Sequence, residues 1–190
     1  MSNQIKFIGL GSQKRVGKDT FCQLLQELDP RIKRIALADT LKSILEPLSW
    51  RLYKTSIGGL SDEQKERFRP LMIEFGRAAR NENIDFWCSE LYEQIQIYDG
   101  LTMYKDAIYC CCDVRYVNEY NFFKKIYGDS FLMVNINRIG APEPTDEEKI
   151  HGPEVAKLAD FHLTWETDSS LMTLRPIVAD FYNKFFNKEG

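Results

Sequence analysis

The chain has 190 residues, of which 44% are hydrophobic and 28% are charged, a composition typical of one globular domain with a substantial core. Its formal net charge of −3 argues against a general nucleic-acid surface, which requires a basic face. No apolar run is long enough to span a membrane, and the polar start MSNQ is not typical of a secretory signal. We therefore expect a cytoplasmic protein without nucleic-acid or membrane partners.

The first predicted element is a buried strand over residues 5–10, which runs into a loop and then into a helix. The loop ends at Gly17-Lys18-Asp19-Thr20. This order is typical of a phosphate-binding loop, in which backbone N–H groups surround an anion, the helix N-terminus attracts it and a lysine adds charge. The match is imperfect because Ser12 replaces the first glycine of the consensus and the hydroxyl is delayed to Thr20. We interpret the stretch as a nucleotide phosphate site, with an ordinary glycine-rich turn as the alternative.

The candidate nucleotide-binding residues are the consecutive residues that form this loop and the start of the helix. The side chains of Lys14 and Arg15, also in the loop, are long enough to reach phosphates. Either Asp19 or Thr20 could contact a metal ion. The full set is Lys14, Arg15, Val16, Gly17, Lys18, Asp19 and Thr20.

Strands and helices alternate along the rest of the chain. Hydrophobic periodicity predicts strands over 32–38, 107–114, 131–136 and 161–165. It predicts helices over 19–28, 40–50, 61–80, 84–98, 115–127 and 169–187, with Asp39 as the N-cap of the second and Ser61 with Gln64 as a capping box for the third. These elements predict an α/β three-layer domain with a mainly parallel five-stranded sheet flanked by helices.

Two stretches between the elements need separate comment. Residues 140–153 are polar and contain three prolines, and we interpret them as a mobile surface segment whose acidic run, 146–148, is solvated. Five cysteines occur, at Cys22, Cys88 and 110–112, without the spacing of a disulfide framework. Consecutive strand residues point to opposite faces, so the run of three cannot converge on one metal; we interpret it as apolar core and do not expect zinc.

Charged residues follow several predicted strands, at the sheet edge where open parallel sheets bind ligands. Asp39, Asp113 and Arg138 stand at such strand ends, together with the phosphate loop. Asp113 follows an apolar run, where a carboxylate is costly unless it meets a cation such as Mg²⁺; the alternative is an N-cap for the helix that begins near Arg115. Arg115 and Arg138 are candidates for binding phosphate oxygens, since arginine presents a planar fork of donors.

These residues provide what phosphoryl transfer requires. That reaction depends on alignment, on neutralisation of charge at the transferring group and on exclusion of water rather than on covalent chemistry by the protein. Loop amides, Lys18, Mg²⁺ and arginines would bind and activate ATP. A flap formed by residues 140–153 could exclude water.

Several segments together resemble a known family. They are KRVGKDT at 14–20, ALADTLK at 36–42, RPLMIEFGRAARNENIDFWCSEL at 69–91, DVRYVNEYNFFKKIYGDSFLMVNINR at 113–138 and HGPE at 151–154. In this order they resemble segments of the phage-type deoxynucleoside monophosphate kinases, P-loop enzymes related to animal phosphomevalonate kinase. The chain departs from the pattern at Ser12 and in the middle residues of HGPE, which weakens a role for His151.

The resemblance implies a nucleoside-monophosphate-kinase-like fold in a single domain, 1–190, with an acceptor-binding helical segment at about 39–100 and a lid-like segment at about 139–153. It implies transfer of the ATP γ-phosphoryl group to a deoxynucleoside monophosphate in the cytoplasm, that of the host if the chain is of phage origin. Lys18 would bridge the ATP phosphates, Asp113 would organise Mg²⁺, and Arg115 and Arg138 would stabilise the transferring group.

The resemblance also assigns the acceptor side. Asp39, Lys42 and Arg80 would bind the acceptor, and Trp87 would pack near its base or belong to the core. Two alternatives remain: a kinase of another phosphorylated metabolite, as phosphomevalonate kinase is, and a nucleotide-binding regulatory protein without an acceptor. The sequence leaves open the acceptor base and whether the chain forms a homodimer.

Overall fold

A computed structural model describes residues 4–11, 13–166 and 170–187 of the chain. Within these ranges the strands are β1 (Phe7–Gly11), β2 (Ile32–Ile35), β3 (Ile108–Val114), β4 (Phe131–Ile139) and β5 (Phe161–Glu166). The α-helices are α1 (Lys18–Leu28), α2 (Leu37–Tyr53), α3 (Asp62–Glu82), α4 (Phe86–Asp99), α5 (Val117–Tyr127), α6 (Asp146–Lys157) and α7 (Leu171–Phe186). No helix in the described part combines the length and apolar character that crossing a bilayer requires.

The strands form one parallel sheet in the order β2-β3-β1-β4-β5, which confirms the predicted fold class. The chain crosses from β3 past β1 to β4, so the strand order reverses around β1. Gly11 at the end of β1 is level with Val114 of β3 and Asn135 of β4. Open α/β sheets bind ligands beside such a reversal, at the carboxyl ends of the strands.

Alternate side chains of the central strands pack into two helical layers. On one face, Ile8 and Leu10 of β1 belong to a cluster with α1 and α7 that includes Phe21 and Phe181. On the other face, Phe7 stacks on Phe123 of α5 with ring centroids 4.4 Å apart. Because every residue of β1 is buried, the strand forms the centre of the core and fixes the start of the following loop.

Clustering of contacts divides the chain into two compact units, residues 1–35 with 97–190, and residues 36–96. The first unit, here called the sheet unit, contains all five described strands. The second, the helical unit, is built around Leu45, Ile57, Leu60 and Phe68. Its helix α3 begins with the predicted capping box, in which the Ser61 hydroxyl accepts from the backbone N–H of Gln64 at 3.3 Å.

The structure differs from the sequence predictions in two places, and at the first of them the predicted N-cap was wrong. The second strand ends at Ile35, and α2 starts at Leu37 with Ala36 as its N-cap, so Asp39 lies in the first helical turn and is not the cap. Leu37 is 5% exposed, and burial of this side chain is compatible with a helix that begins earlier than the polar residue suggests.

The second difference concerns residues 140–153, to which the sequence analysis assigned no helix and where the structure has the N-terminal part of α6. Thr145 and Glu148 form a reciprocal capping box at its start. Pro153 lies inside the helix and leaves only one carbonyl, four residues earlier, without its helical partner. The polar composition therefore belongs in part to an exposed helix, and the predicted mobility of the segment stays a prediction. The predicted start of the last helix, Ser169, lies outside the described residues.

Candidate active site

In the described part of the loop between β1 and α1, two residues adopt the left-handed backbone conformation. Arg15 and Gly17 have positive φ angles of 60° and 94°, and such left-handed residues within a turn direct backbone N–H groups towards a common concavity. A Cβ atom on Gly17 would lie 3.0 Å from the Trp165 ring, so both its backbone angle and its surroundings favour glycine. Ser12, the departure from the consensus, lies outside the described residues.

Three contacts from distant parts of the sheet unit hold this loop. The indole N–H of Trp165, near the end of β5, donates to the Val16 carbonyl at 2.8 Å. Arg138 donates from Nη1 to the Arg15 carbonyl at 3.1 Å. The Lys14 N–H donates to Glu148 Oε1 at 2.8 Å. The loop is therefore shaped by β4, β5 and α6 as well as by its own sequence.

Lys18 is the first residue of α1 and is only 9% exposed. Its Nζ donates to the Gln13 carbonyl at 2.5 Å. Burial, together with the positive charge of Arg115, lowers the pKa of Lys18 to about 8, although the carboxylates of Glu148, Asp113 and Asp19 act in the opposite direction. A desolvated ammonium group beside an arginine is stabilised by a bound anion.

Asp113 and Arg115 lie at the carboxyl end of β3, as predicted. Asp113 is half-buried and accepts a hydrogen bond from the Cys111 thiol at 3.5 Å. The alternative role of Asp113 as an N-cap is wrong, because Tyr116 takes that position before α5. The buried Glu119 carboxylate accepts from the Arg115 N–H at 2.6 Å and the Tyr116 N–H at 3.2 Å. Glu119 thus fixes the backbone from which the Arg115 side chain extends.

The two candidate metal-contacting residues of α1 differ in their surroundings. Asp19 is exposed, and its Oδ1 accepts from Arg34 Nε at 2.8 Å. Thr20 is half-buried in the first turn of the same helix. The predicted contact of either residue with a metal ion stays a prediction.

A small open cleft adjoins the loop, with lining residues that include Gln13, Arg115, Glu148 and His151. Glu148 is half-buried here, so the interpretation of the whole acidic run as solvated was wrong. Burial raises the pKa of Glu148, but hydrogen bonds from the N–H groups of Thr145 and Lys14 outweigh this effect and hold the pKa below its usual range. The Glu148 carboxylate therefore accepts a hydrogen bond from the Lys14 N–H, which could otherwise donate to a phosphate oxygen.

The remaining predicted site residues belong to the helical unit. Lys42 Nζ pairs with Asp39 Oδ1 at 2.8 Å, and both side chains are about half-exposed. Arg80 lies in the last turn of α3. Trp87 is buried, donates from its indole N–H to the Gly76 carbonyl at 3.1 Å and packs edge-on against Phe75. Trp87 is thus part of the core of this unit.

Sequence reasoning missed Trp165, Glu119 and Glu148 as residues that shape the site. A threonine three residues before a glutamate is a capping-box signature, so Thr145 could have identified the helix that carries Glu148. No local signal marks Trp165, because its contact with Val16 depends on the position of β5 in the sheet.

Solved structures align with nearly the whole of this chain. Dephospho-CoA kinase from Campylobacter jejuni aligns with a TM-score of 0.56 at 15% identity, over 97% of this chain and 98% of that chain. A gluconokinase from Sinorhizobium meliloti aligns with a TM-score of 0.45 at 9% identity, over 99% and 100%. No protein-family model matches the sequence, and no curated protein gives a significant match. The similarity to the first structure shows that the chain has a P-loop kinase fold.

Proposed function

We propose that the protein transfers the γ-phosphoryl group of ATP to a deoxynucleoside monophosphate, giving a deoxynucleoside diphosphate and ADP. The observation that carries this proposal is the buried ammonium of Lys18 at the N-terminus of α1, inside a loop with left-handed residues and beside the charge of Arg115. Such a site binds a polyanion more strongly than a neutral ligand.

Each candidate site residue of the sheet unit has a role in this proposal. The amides of the loop and Lys18 hold the ATP phosphates. Arg115 and Arg138 stabilise charge on the transferring group, since a guanidinium offers two parallel donors to phosphate oxygens. Arg138 already lies against the loop through the Arg15 carbonyl, which supports this assignment.

The chain also offers suitable ligands for Mg²⁺. Its preferred ligands are oxygens, and the carboxylates of Asp113 and Asp19 lie close enough to Lys18 to influence its pKa. Thr20 adds a hydroxyl in the first turn of α1. When bound, the ion would neutralise charge on the ATP phosphates.

The acceptor assignment depends on the helical unit and on the family resemblance. Asp39, Lys42 and Arg80 would bind the monophosphate. Trp87 would contribute to the core of the same unit. Helix α6 would act as a lid that excludes water, since Glu148 ties it to the Lys14 amide. Binding of a nucleotide at this amide would require Glu148 to give up that hydrogen bond.

A second acceptor class merits a direct test, because the structure that aligns at a TM-score of 0.56 is named as a kinase of dephospho-CoA. In this alternative the same loop would hold ATP, but the acceptor would be another small phosphorylated metabolite.

An acceptor panel at fixed MgATP tests the proposal. ADP release is followed in a coupled assay with deoxynucleoside monophosphates, ribonucleoside monophosphates, phosphomevalonate and dephospho-CoA, with Lys18→Met as the control for contaminating kinases. We expect turnover with a deoxynucleoside monophosphate that is lost in Lys18→Met. Turnover with phosphomevalonate or dephospho-CoA alone would overturn the acceptor assignment. ATP binding without turnover of any acceptor would instead indicate a regulatory protein.

A further inference from the structure

Three cysteine sulfurs meet in the core of the sheet unit. Cys110 and Cys112 are two residues apart on β3 and therefore point to the same face, where Cys22 of α1 faces them. Their Sγ atoms all lie within 4.8 Å of one another, and none of the three residues is more than 4% exposed. Among the described residues, no other group of three or more His, Cys, Asp or Glu side chains has such metal-ligand spacing.

Cys111, between the two strand cysteines, does not share this site. It points to the opposite face and donates from its thiol to Asp113 Oδ1. The sequence prediction that the three consecutive cysteines do not converge is thus correct, but it overlooked the third sulfur supplied by Cys22. The sequence separation between Cys22 and β3 concealed the group.

The backbone holds the three sulfurs ready for a common ligand. Strand β3 is paired on both sides, with β1 and β2, so the spacing between Cys110 and Cys112 is fixed by the sheet. Two cysteines at positions i and i+2 of a strand have Cα atoms about 6.6–6.8 Å apart, at the upper limit for a disulfide. A disulfide from Cys22 to either one would leave the other sulfur unused, whereas a single metal ion can bind all three.

We propose that Cys22, Cys110 and Cys112 bind one thiophilic closed-shell cation through three thiolates. Thiolate ligands select Zn²⁺ and Cu⁺ over the hard cations that bind phosphates, so this site is distinct from the Mg²⁺ site proposed above. Binding replaces three S–H protons with one metal ion, and the protons pass to the solvent.

The two cations differ in what they require beyond the three sulfurs. Three thiolates leave a net charge of −1 around Zn²⁺ and −2 around Cu⁺. The positive charge of Arg34 acts on both Cys22 and Cys112, while the negative charge of Asp19 opposes it at Cys22. Charge therefore favours Zn²⁺, but Zn²⁺ prefers four ligands and would need a non-protein ligand at the fourth position. Cu⁺ would need only the sulfurs.

A metal ion bound to these three cysteines would link α1 to β3 close to the phosphate loop. Cys22 lies four residues after Lys18 in α1, and Cys112 immediately precedes Asp113. A ligand that binds the folded but not the unfolded chain stabilises the fold by mass action, so the site would stabilise the segment that carries the nucleotide-binding residues.

The test uses the full chain, reduced and stripped with a chelator, then loaded with Zn²⁺ or Cu⁺ in separate samples. Elemental analysis gives the metal bound per chain, X-ray absorption at the metal edge counts sulfur ligands, and thermal unfolding gives Tm. We expect one ion per chain with three sulfur ligands and a raised Tm, for at least one of the two ions. In the Zn²⁺ sample we expect a fourth ligand atom lighter than sulfur in addition to the three sulfurs.

Cys22→Ala and Cys112→Ala should each lose the bound ion, whereas Cys111→Ala and Cys88→Ala should retain it. Cys111 is the matched control because it is equally buried on the same strand. If the ligand variants do not fold, the sulfur count on the wild-type chain still decides. Absence of a bound ion in the wild type, oxygen or nitrogen ligands alone, or equal loss in Cys111→Ala would overturn the proposal. None of these readouts depends on kinase activity.

Discussion

The phosphate loop and the candidate acceptor residues are held in different ways. The loop contacts of Val16, Lys14 and Arg15 come from residues 149, 134 and 123 positions away in the sequence. In the helical unit, Lys42 pairs with Asp39 three residues earlier, and Trp87 bonds to Gly76 eleven residues earlier. The loop therefore depends on distant parts of the sheet unit, whereas these contacts of Lys42 and Trp87 lie within the helical unit and span short sequence separations.

Two lysines illustrate the difference. Lys18 is 9% exposed and has a lowered pKa, while the side chain of Lys42 is 45% exposed and forms an ordinary ion pair on one helix face. A buried charge that the fold does not fully compensate costs stability and is retained where a ligand compensates it. Substitutions in the loop should therefore affect catalysis and stability together, and substitutions at the exposed pair should affect substrate affinity alone.

The largest expected effect is that of Lys18→Met on turnover. Removal of one preorganised cation or donor at the transferring group costs about 10²–10³ in kcat, and the methionine retains most of the side-chain volume. Steady-state kinetics with saturating MgATP and the best acceptor measures this loss. Lys42→Met is the matched control, for which we expect a higher KM for the acceptor and a kcat near that of the wild type. Near-normal kcat in Lys18→Met would remove the basis for the comparison.

The same substitution should have the opposite effect on stability. Since the pKa of Lys18 is about 8 in the folded chain and 10.5 in its ordinary state, the unfolded chain binds an extra proton between these values, and the free energy of unfolding rises with pH there. Well below the folded pKa the charged Lys18 carries the full net cost of burial and of the neighbouring charges, about 3 kcal/mol.

Lys18→Met should therefore be more stable than the wild type at neutral pH, and the difference should shrink as pH increases. Urea denaturation of both proteins without nucleotide, at about pH 7 and about pH 9.5, measures the change. Lys42→Met, which alters an exposed pair, should follow the pH dependence of the wild type. Parallel curves for Lys18→Met and the wild type would show that burial of Lys18 is not costly.

The sequence was sufficient for the fold because alternation of apolar strands and amphipathic helices is a local signal. It also placed Gly17 and Lys18 where the loop meets α1 and Asp113 at the end of β3, as the structure has them, while their roles in binding stay predictions. The partners that complete the loop could not be predicted, since Trp165 and Glu148 reach it only through the strand order of the sheet and the position of α6. The error at Asp39 had a different cause: a polar residue was taken as a cap where burial of Leu37 had already started the helix.

Trp165→Phe tests the contribution of distant contacts to the loop, with a smaller expected effect. Phenylalanine keeps an aromatic ring at position 165 but removes the outer indole atoms nearest Gly17 and the donor to the Val16 carbonyl. Loss of the donor alone should cost about 1–3 kcal/mol of unfolding free energy. The KM for ATP should rise more than kcat falls, because the loop is loosened before chemistry. Denaturation and steady-state kinetics measure both effects, with the exposed Trp50→Phe as the control. An unchanged KM for ATP would show that the loop keeps its shape without this bond.

The smallest effect on stability is expected for Asp39→Asn, which removes the charge of a pair that is about half-exposed at both partners. Such surface pairs contribute about 0–1 kcal/mol, so the unfolding free energy should hardly change. If Asp39 binds the acceptor, its KM should rise several-fold while the KM for ATP stays constant, a separation that a purely structural role would not produce. Thr40 beside it is almost completely buried and is unsuitable as a control, so Asp62→Asn, an exposed acid in the first turn of α3, serves instead. Equal KM values for the acceptor in both variants would remove Asp39 from the acceptor site and leave its ion pair with Lys42 as a local feature of the helix.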